Sequence, residues 1–292
     1  MASVEHVIGI DPDRDRVTAS VVDTATTGEQ ASAAFATTQV GYERLVKWAD
    51  EYTQATDRAW SVEGTGSYGV GIAAYLAARG EWVIEFNNPT PSIDGAKTDT
   101  LDARRAARQT LGRSQPSAPR IRGNREALRV LETTRRGAIT ARTAAINELK
   151  ALLVTAPVDL RDQLRGLTTT ALVAKCSGFR LRSDTINEHT ATKQAMRSAA
   201  RRIRALTDEA TQLRTTITEL ITTVAPHLLD QPGIAPITAT QIYIAWSHPR
   251  RCCNETAFAR LAGVAPPQAS SGQKTRHRLN RRGDRKLNHS YL

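Results

Sequence analysis

Carboxylates are the first chemistry that the sequence offers. Asp11 follows the run Val7, Ile8, Gly9, Ile10, and Glu63 follows the run 59–62; both runs have the composition and length of short strands. If these strands lie side by side, the two carboxylates share one edge of a sheet. Asp99 and Asp102 stand three apart where the pattern predicts a helix start, which puts them on one helical face. Four converging acids repel one another unless divalent cations neutralise them. Magnesium takes a few carboxylates together with water and phosphate oxygens, so such a set is suited to cutting or joining phosphodiesters. Two blander accounts stay open at this point: Asp99 as an N-terminal cap, and Asp11 with Asp13 and Asp15 as a solvated turn.

A second chemistry is nucleophilic. Ser270 and Ser271 precede Gly272 in a Gly/Pro/Ser-rich loop that leads into a basic stretch. A serine attacks phosphorus when its proton is removed and arginines or a metal offset the phosphate charge; Ser-Gly is also common in plain loops. Gly64-Thr65-Gly66-Ser67-Tyr68-Gly69 matches GxGxxG between a predicted strand and helix, with Glu85 ending the next strand, which raises a dinucleotide fold as an alternative. Against it, Glu63 stands immediately before the first glycine, and the strands upstream do not form a βαβ unit. The cysteines, Cys176 and the adjacent Cys252 and Cys253, fit neither a disulfide framework nor a CxxC zinc site, and His248 adds only one more ligand type beside a vicinal pair. They read as structural.

The elements that must position these groups follow from periodicity. Strand-like runs at 7–10, 17–22 and 31–37 predict a three-stranded meander. Helical spacing covers 41–55, a short buried strand 59–62, a helix 70–79, another strand 82–86, and a helix begins near Asp99. Three antiparallel strands followed by β/α units suggest a ribonuclease H-like arrangement. The Pro/Ser/Gly/Arg segment 114–123 reads as a linker, and 124–153 as a long helix. Apolar residues at 196, 199, 203, 206, 210, 213, 217, 220 and 224 alternate steps of three and four, nearly four heptads. This helix packs either on 124–153 as an intrachain hairpin or on another chain. Pro226 ends it, and 231–241 (QPGIAPITATQ) resembles a helix-hairpin-helix turn in which Gly233 helps aim backbone N–H groups at a phosphate; a plain helix connector is the alternative. The expected class is α/β plus α, divided as an α/β metal-binding domain (1–118), a helical coiled-coil segment (119–226) and a small, mainly helical C-terminal domain (227–292).

Charge is unevenly spread along the 292 residues. The chain carries +11 overall, but residues 1–100 hold 7 Lys+Arg against 15 Asp+Glu, whereas the rest hold 33 against 14. A basic majority implies a polyanionic partner, because neutralising phosphates releases counterions. The tail concentrates this charge in Lys274, Arg276, Arg278, Arg281, Arg282, Arg285 and Lys286 against the acid Asp284. No apolar run approaches the roughly 20 residues of a membrane span, and the N-terminus lacks signal-peptide features, so a cytoplasmic protein is expected.

In order along the chain, GID (9–11), VEGTGSYG (62–69), NP (88–89), GAKTDTLDA (95–103), PGIAPITA, and LAGVAPPQASSGQKTRHRLNRRGDRKLN resemble the DEDD-type insertion-sequence transposases of the one-ten family, which are related to site-specific DNA invertases. The resemblance spans nearly the whole chain. It implies a RuvC-like N-terminal domain with the tetrad Asp11, Glu63, Asp99 and Asp102 binding Mg2+, and a C-terminal transposase domain bearing the nucleophile, Ser271, with Ser270 as its rival. It further implies a covalent phosphoserine link to DNA, a noncoding guide RNA pairing with target and donor DNA, and a homo-oligomer (dimer or tetramer) whose active sites draw carboxylates and serine from different protomers. Members usually continue beyond RRGDRKLN, so the chain reads as C-terminally shortened. Competing functions are a RuvC-like nuclease using the carboxylates alone, a noncatalytic RNA/DNA-binding remnant, and a dinucleotide-binding enzyme.

Overall fold

The computed structural model describes residues 4–86, 99–111, 117–120, 122–180, 186–248, 251–252, 254–269, 276–278, 280 and 283–289. It opens with β1 (His6–Pro12), β2 (Arg16–Asp23) and β3 (Glu29–Ala36), the expected meander. Helix α1 (Gln39–Asp50) leads to β4 (Arg58–Glu63), and α2 (Val70–Ala78) to β5 (Val83–Phe86). The sheet order is β3-β2-β1-β4-β5, antiparallel through β3, β2 and β1 and parallel from β1 through β4 to β5. This mixed sheet is compatible with a ribonuclease H-like arrangement.

Strand alternation assigns the two faces. Ile8, Ile10, Val17, Ala19, Val21, Trp60 and Val62 pack with Leu45 and Val46 of α1 and Ile72 and Leu76 of α2. The opposite face holds Val7 and Val22 against Ala107 and Leu111 of α3 (Asp99–Leu111). Helix α1 starts at Thr38, whose hydroxyl accepts from the Gly41 N–H. It stops at Asp50, short of the predicted 55, and residues 51–54 turn towards β4.

That turn is held by a buried arginine. Arg58, 1% exposed, donates from Nη2 to Glu81 Oε1 at 2.5 Å, from Nη1 to Asp50 Oδ1 at 2.7 Å and to the Thr53 carbonyl at 3.2 Å. Trp60 Nε1 donates to Glu81 Oε2 at 2.7 Å. Burial pushes the Glu81 carboxyl up, but the bonds from Arg58 and Trp60 outweigh it and hold the group below the usual carboxylate range. A depressed folded pKa means that this stabilisation is complete above the ordinary glutamate value of about 4.3 and fades as pH falls through the lower folded value. Arg58→Met strands a buried carboxylate, and we expect it to cost about 3–5 kcal/mol at neutral pH, with the deficit shrinking towards pH 3 in denaturant titrations. An equal loss at both pH values would assign the effect to packing alone.

Contacts divide the chain into a unit of residues 1–121 with 248–251 and a unit of 122–247 with 252–292. In the second, α4 (Asn124–Val154) and α7 (Glu188–Val224) run antiparallel: Ala145 and Leu149 meet Met196, Ala199 and Ile203, while Leu128 meets Ile217 and Ile221. Met196, Ala199, Ile203, Ala210 and Ile217 of the heptad stripe are therefore buried within the chain, while Leu206, Leu213, Leu220 and Val224 are half-buried. Helix α7 begins eight residues before Met196, where Asn187 and Thr190 form a reciprocal capping box with bonds of 2.9 and 3.0 Å. Helices α5 (Val158–Leu164) and α6 (Thr169–Ser177) close one end, with Cys176 in their core, where burial pushes its thiol up to about 11. At the other end stand α8 (Pro226–Leu229) and α9 (Pro236–Trp246), followed by α10 (Glu255–Ala262) and α11 (Arg285–His289).

Candidate active site at the carboxylate edge of the sheet

Asp11 and Glu63 lie at the same end of neighbouring parallel strands. The register pairs Gly9 with Ser61 and Ile10 with Val62, so the two acids come next on each strand. Alternation sets both on the face of Gly9 and Ser61, which is the face of α3. Both acids are half-buried.

Small and hydroxylic residues let α3 lie directly on these strands. A Cβ at Gly9 would stand 1.8 Å from the Ala103 carbonyl oxygen and 2.9 Å from the Ala107 nitrogen, so no side chain fits there. Ser61 Oγ donates to the Ala106 carbonyl at 2.9 Å and lies 2.7 Å from Thr110 Oγ1. With Ala103 over Gly9 and Ala107 beside Val7, the helix runs antiparallel to β1. Its first turn, with Asp99 and Asp102, therefore points to the strand end that carries Asp11.

The Asp102 carboxylate accepts from Arg105 Nη1 at 3.1 Å, one turn on. Arg104 pairs with Glu29 at 3.3 Å and Arg108 Nε donates to the Thr27 carbonyl at 2.9 Å, tying the rest of α3 to the β2–β3 hairpin. Asp99 begins α3 on the backbone, but its side chain lies outside the described residues. Among the described residues, no group of three or more His, Cys, Asp or Glu stands close enough to hold a metal ion. The donors at this edge are nonetheless all carboxylate oxygens, the hard ligands that suit a magnesium-like cation rather than zinc.

The stretch 64–69 is a compact turn joining β4 to α2. Gly64 has φ +60°, which favours glycine, and a Cβ at Gly69 would stand 2.2 Å from the Glu63 carbonyl oxygen, so no side chain fits there. The strands before it are antiparallel, not a βαβ unit. Sequence reading missed two residues that bear on this edge: Arg105, which engages Asp102, and Arg120, which reaches the 64–69 turn from within the expected linker. Arg105 carries a local signal, its i,i+3 spacing from Asp102 on a helix, whereas Arg120 is one arginine among many.

Ser270, Ser271, Lys274, Arg281 and Arg282 lie outside the described residues. The described residues on either side of 270–275 pair with one another: Gln268 bridges His277, Ala269 N donates to the Arg276 carbonyl at 2.7 Å and Arg278 N to the Pro267 carbonyl at 3.0 Å. Arg276, Arg278, Arg285 and Lys286 are exposed. Gly233 is exposed at φ +80° in the turn between α8 and α9. No described helix is long and apolar enough to cross a membrane.

Comparison with known proteins places this geometry. A DEDD-type transposase model of the IS110 family matches residues 8–156, the sheet with α3 and α4. A second model, described as transposase IS116/IS110/IS902 family, matches residues 225–291. No curated protein matches the chain. The first match spans just over half of the chain and takes in the carboxylate edge, and the second covers residues 225–291, so the chain belongs to the IS110 family of transposases.

Proposed function

We propose that this transposase cuts and rejoins DNA with a serine nucleophile, Ser271, acting beside a magnesium-binding set made of Asp11, Glu63, Asp99 and Asp102. The observation that carries the proposal is the pairing of β1 with β4, which sets Asp11 and Glu63 side by side at the end where α3 begins. A divalent cation held there supplies charge neutralisation for a phosphate oxygen. In the nucleophilic step the Ser271 Oγ–P bond forms as a P–O bond of the strand breaks, and the serine proton ends on the leaving oxygen. Rejoining reverses it with a new strand end. Ser270 is the rival nucleophile.

The basic residues Lys274, Arg276, Arg278, Arg281, Arg282, Arg285 and Lys286, with the Gly233 turn, are proposed to contact nucleic acid: target and donor DNA and a noncoding guide RNA. The excess of 33 Lys+Arg over 14 Asp+Glu beyond residue 100 supports such a load. A homo-oligomer in the cytoplasm, with carboxylates and serine from different protomers, completes the reading. The α4–α7 packing accounts for the buried part of the heptads within one chain, and half-buried Leu206 and Leu213 of α7 remain open to an oligomer contact.

Arg105 gives a test of the cation site by binding alone. Its pair with Asp102 competes with a cation for the charge of that carboxylate. Because such partly exposed pairs are worth about 0.2–1 kcal/mol, Arg105→Gln is expected to tighten Mg2+ or Mn2+ binding by up to about fivefold in calorimetric titration. Asp11→Asn should weaken the same binding at least about tenfold. Equal cation affinity in the wild type and Asp11→Asn would remove Asp11 from the site.

A further inference from the structure

Two buried donor atoms lie one in the β4–α2 turn and one in the segment 117–120 that reaches it, and neither has a hydrogen-bond partner among the described residues. Thr65, 5% exposed, leaves its Oγ1 unpaired; Arg120 leaves its Nε unpaired. Arg120 reaches the turn itself, since a Cβ at Gly66 would stand 3.8 Å from its Nη1. The segment is pinned to β5 by the Glu85 N–H, which donates to the Ser117 carbonyl at 2.7 Å, and the Arg120 guanidinium sits 4.0 Å from the Glu85 carboxylate, too long for a hydrogen bond. Glu85 is 4% exposed. A buried donor left unmade costs about 1–3 kcal/mol, and Arg120, whose side chain is 38% exposed, can turn its guanidinium to an acceptor from outside the chain.

We propose that Thr65, the glycine-rich turn at Gly66 and Arg120 form a phosphate-oxygen site for the DNA strand that crosses the Asp11–Glu63 edge. The acceptor's chemistry follows from the donors. A hydroxyl, a turn with two glycines in three positions and one guanidinium suit a single phosphodiester oxygen pair. Gly64 and Gly66 leave room for close approach of a backbone phosphate, and Arg120 offsets the nearby Glu63 and Glu85 charges that would otherwise repel it. The turn begins immediately after Glu63, so a phosphate held there is a neighbour of the one at the carboxylates and sets the register of the strand. The site is distinct from the basic tail, and it gives a role to a glycine motif that the carboxylate chemistry leaves unused. The assignment rests on the proposed function, since the strand is the one that the carboxylates handle.

The test uses the full chain and a fluorescein-labelled DNA duplex in Mg2+, with affinity measured by anisotropy from low to moderate salt. Arg120→Ala is expected to weaken binding about tenfold and to lower the salt slope by about one, the signature of one lost phosphate contact. Thr65→Val should weaken it about threefold, and Arg120→Lys should restore most of the slope. Unchanged affinity and slope in a folded Arg120→Ala protein overturns the site, whereas a wild-type chain that binds no DNA overturns the transposase reading beneath it. A phosphate-ester site fed by free nucleotides instead of a strand would show as ATP binding that displaces no DNA and is lost in Arg120→Ala, which also overturns the strand assignment. Glu85→Gln controls for the ion pair: loss of DNA affinity equal to that of Arg120→Ala would make Arg120 a structural partner of Glu85 and no phosphate ligand.

Discussion

Asp11→Asn is expected to reduce DNA strand cleavage by at least about a thousandfold, an effect of about 4 kcal/mol on the transition state. The substitution keeps the size of the side chain and its place at the end of β1, and removes the charge that a cation needs. Because the site gathers acids, removing one also relieves repulsion in the metal-free protein. The variant should therefore melt at or slightly above the wild-type temperature and bind DNA within about threefold of it, since phosphate contacts come from the basic residues. That combination separates a functional carboxylate from a structural one. Loss of cleavage together with a lowered melting temperature would point to a damaged sheet, and cleavage within tenfold of wild type would take Asp11 out of the reaction.

Ser271→Ala carries the second large effect. A nucleophile has no substitute within its own mechanism, so cleavage and covalent adduct should fall by at least about 10⁴-fold, while Ser270→Ala retains both within about tenfold. If the two variants exchange these outcomes, Ser270 is the nucleophile. Cleavage that survives in both, still dependent on Asp11, describes a nuclease that uses the carboxylates with water. The residues on either side of 270–275 are held together by backbone bonds from Ala269 and Arg278, so neither substitution should affect folding.

The sheet was legible because four of its strands are short, largely apolar runs and the fifth, β3, alternates. The meander, the later parallel strands and the helix from Asp99 all follow from local periodicity. The reason for Gly9 was not legible, since it depends on Ala103 and Ala107, nearly a hundred residues away. Nor was the Arg58–Glu81 pair, whose members are separated by 23 residues and matched by shape and burial, not by spacing. Helices α5 and α6 are short and draw their stability from the core they share with α4 and α7. In the heptads of α7, sequence left the choice between an intrachain and an intermolecular partner open, because a stripe of apolar residues does not name the surface that covers it. At the candidate site the pairing of Asp11 with Glu63 could be anticipated from the strand order. The engagement of Asp102 by Arg105 follows the i,i+3 spacing of a helix and could have been read from the sequence, whereas the meeting of Arg120 with the Gly66 turn depends on where a long side chain folds back across the chain.

The most direct measurement is to incubate the full chain with Mg2+, RNA transcribed from the sequence flanking its own element, and end-labelled target and donor DNA, then to separate the products on a denaturing gel. A labelled protein–DNA band should appear, map by mass spectrometry to the peptide containing residues 270–271, and vanish in Ser271→Ala, in Asp11→Asn and on chelation of the metal. Cut DNA with no protein attached, in the wild type and the serine variants alike, would contradict a serine-dependent recombinase.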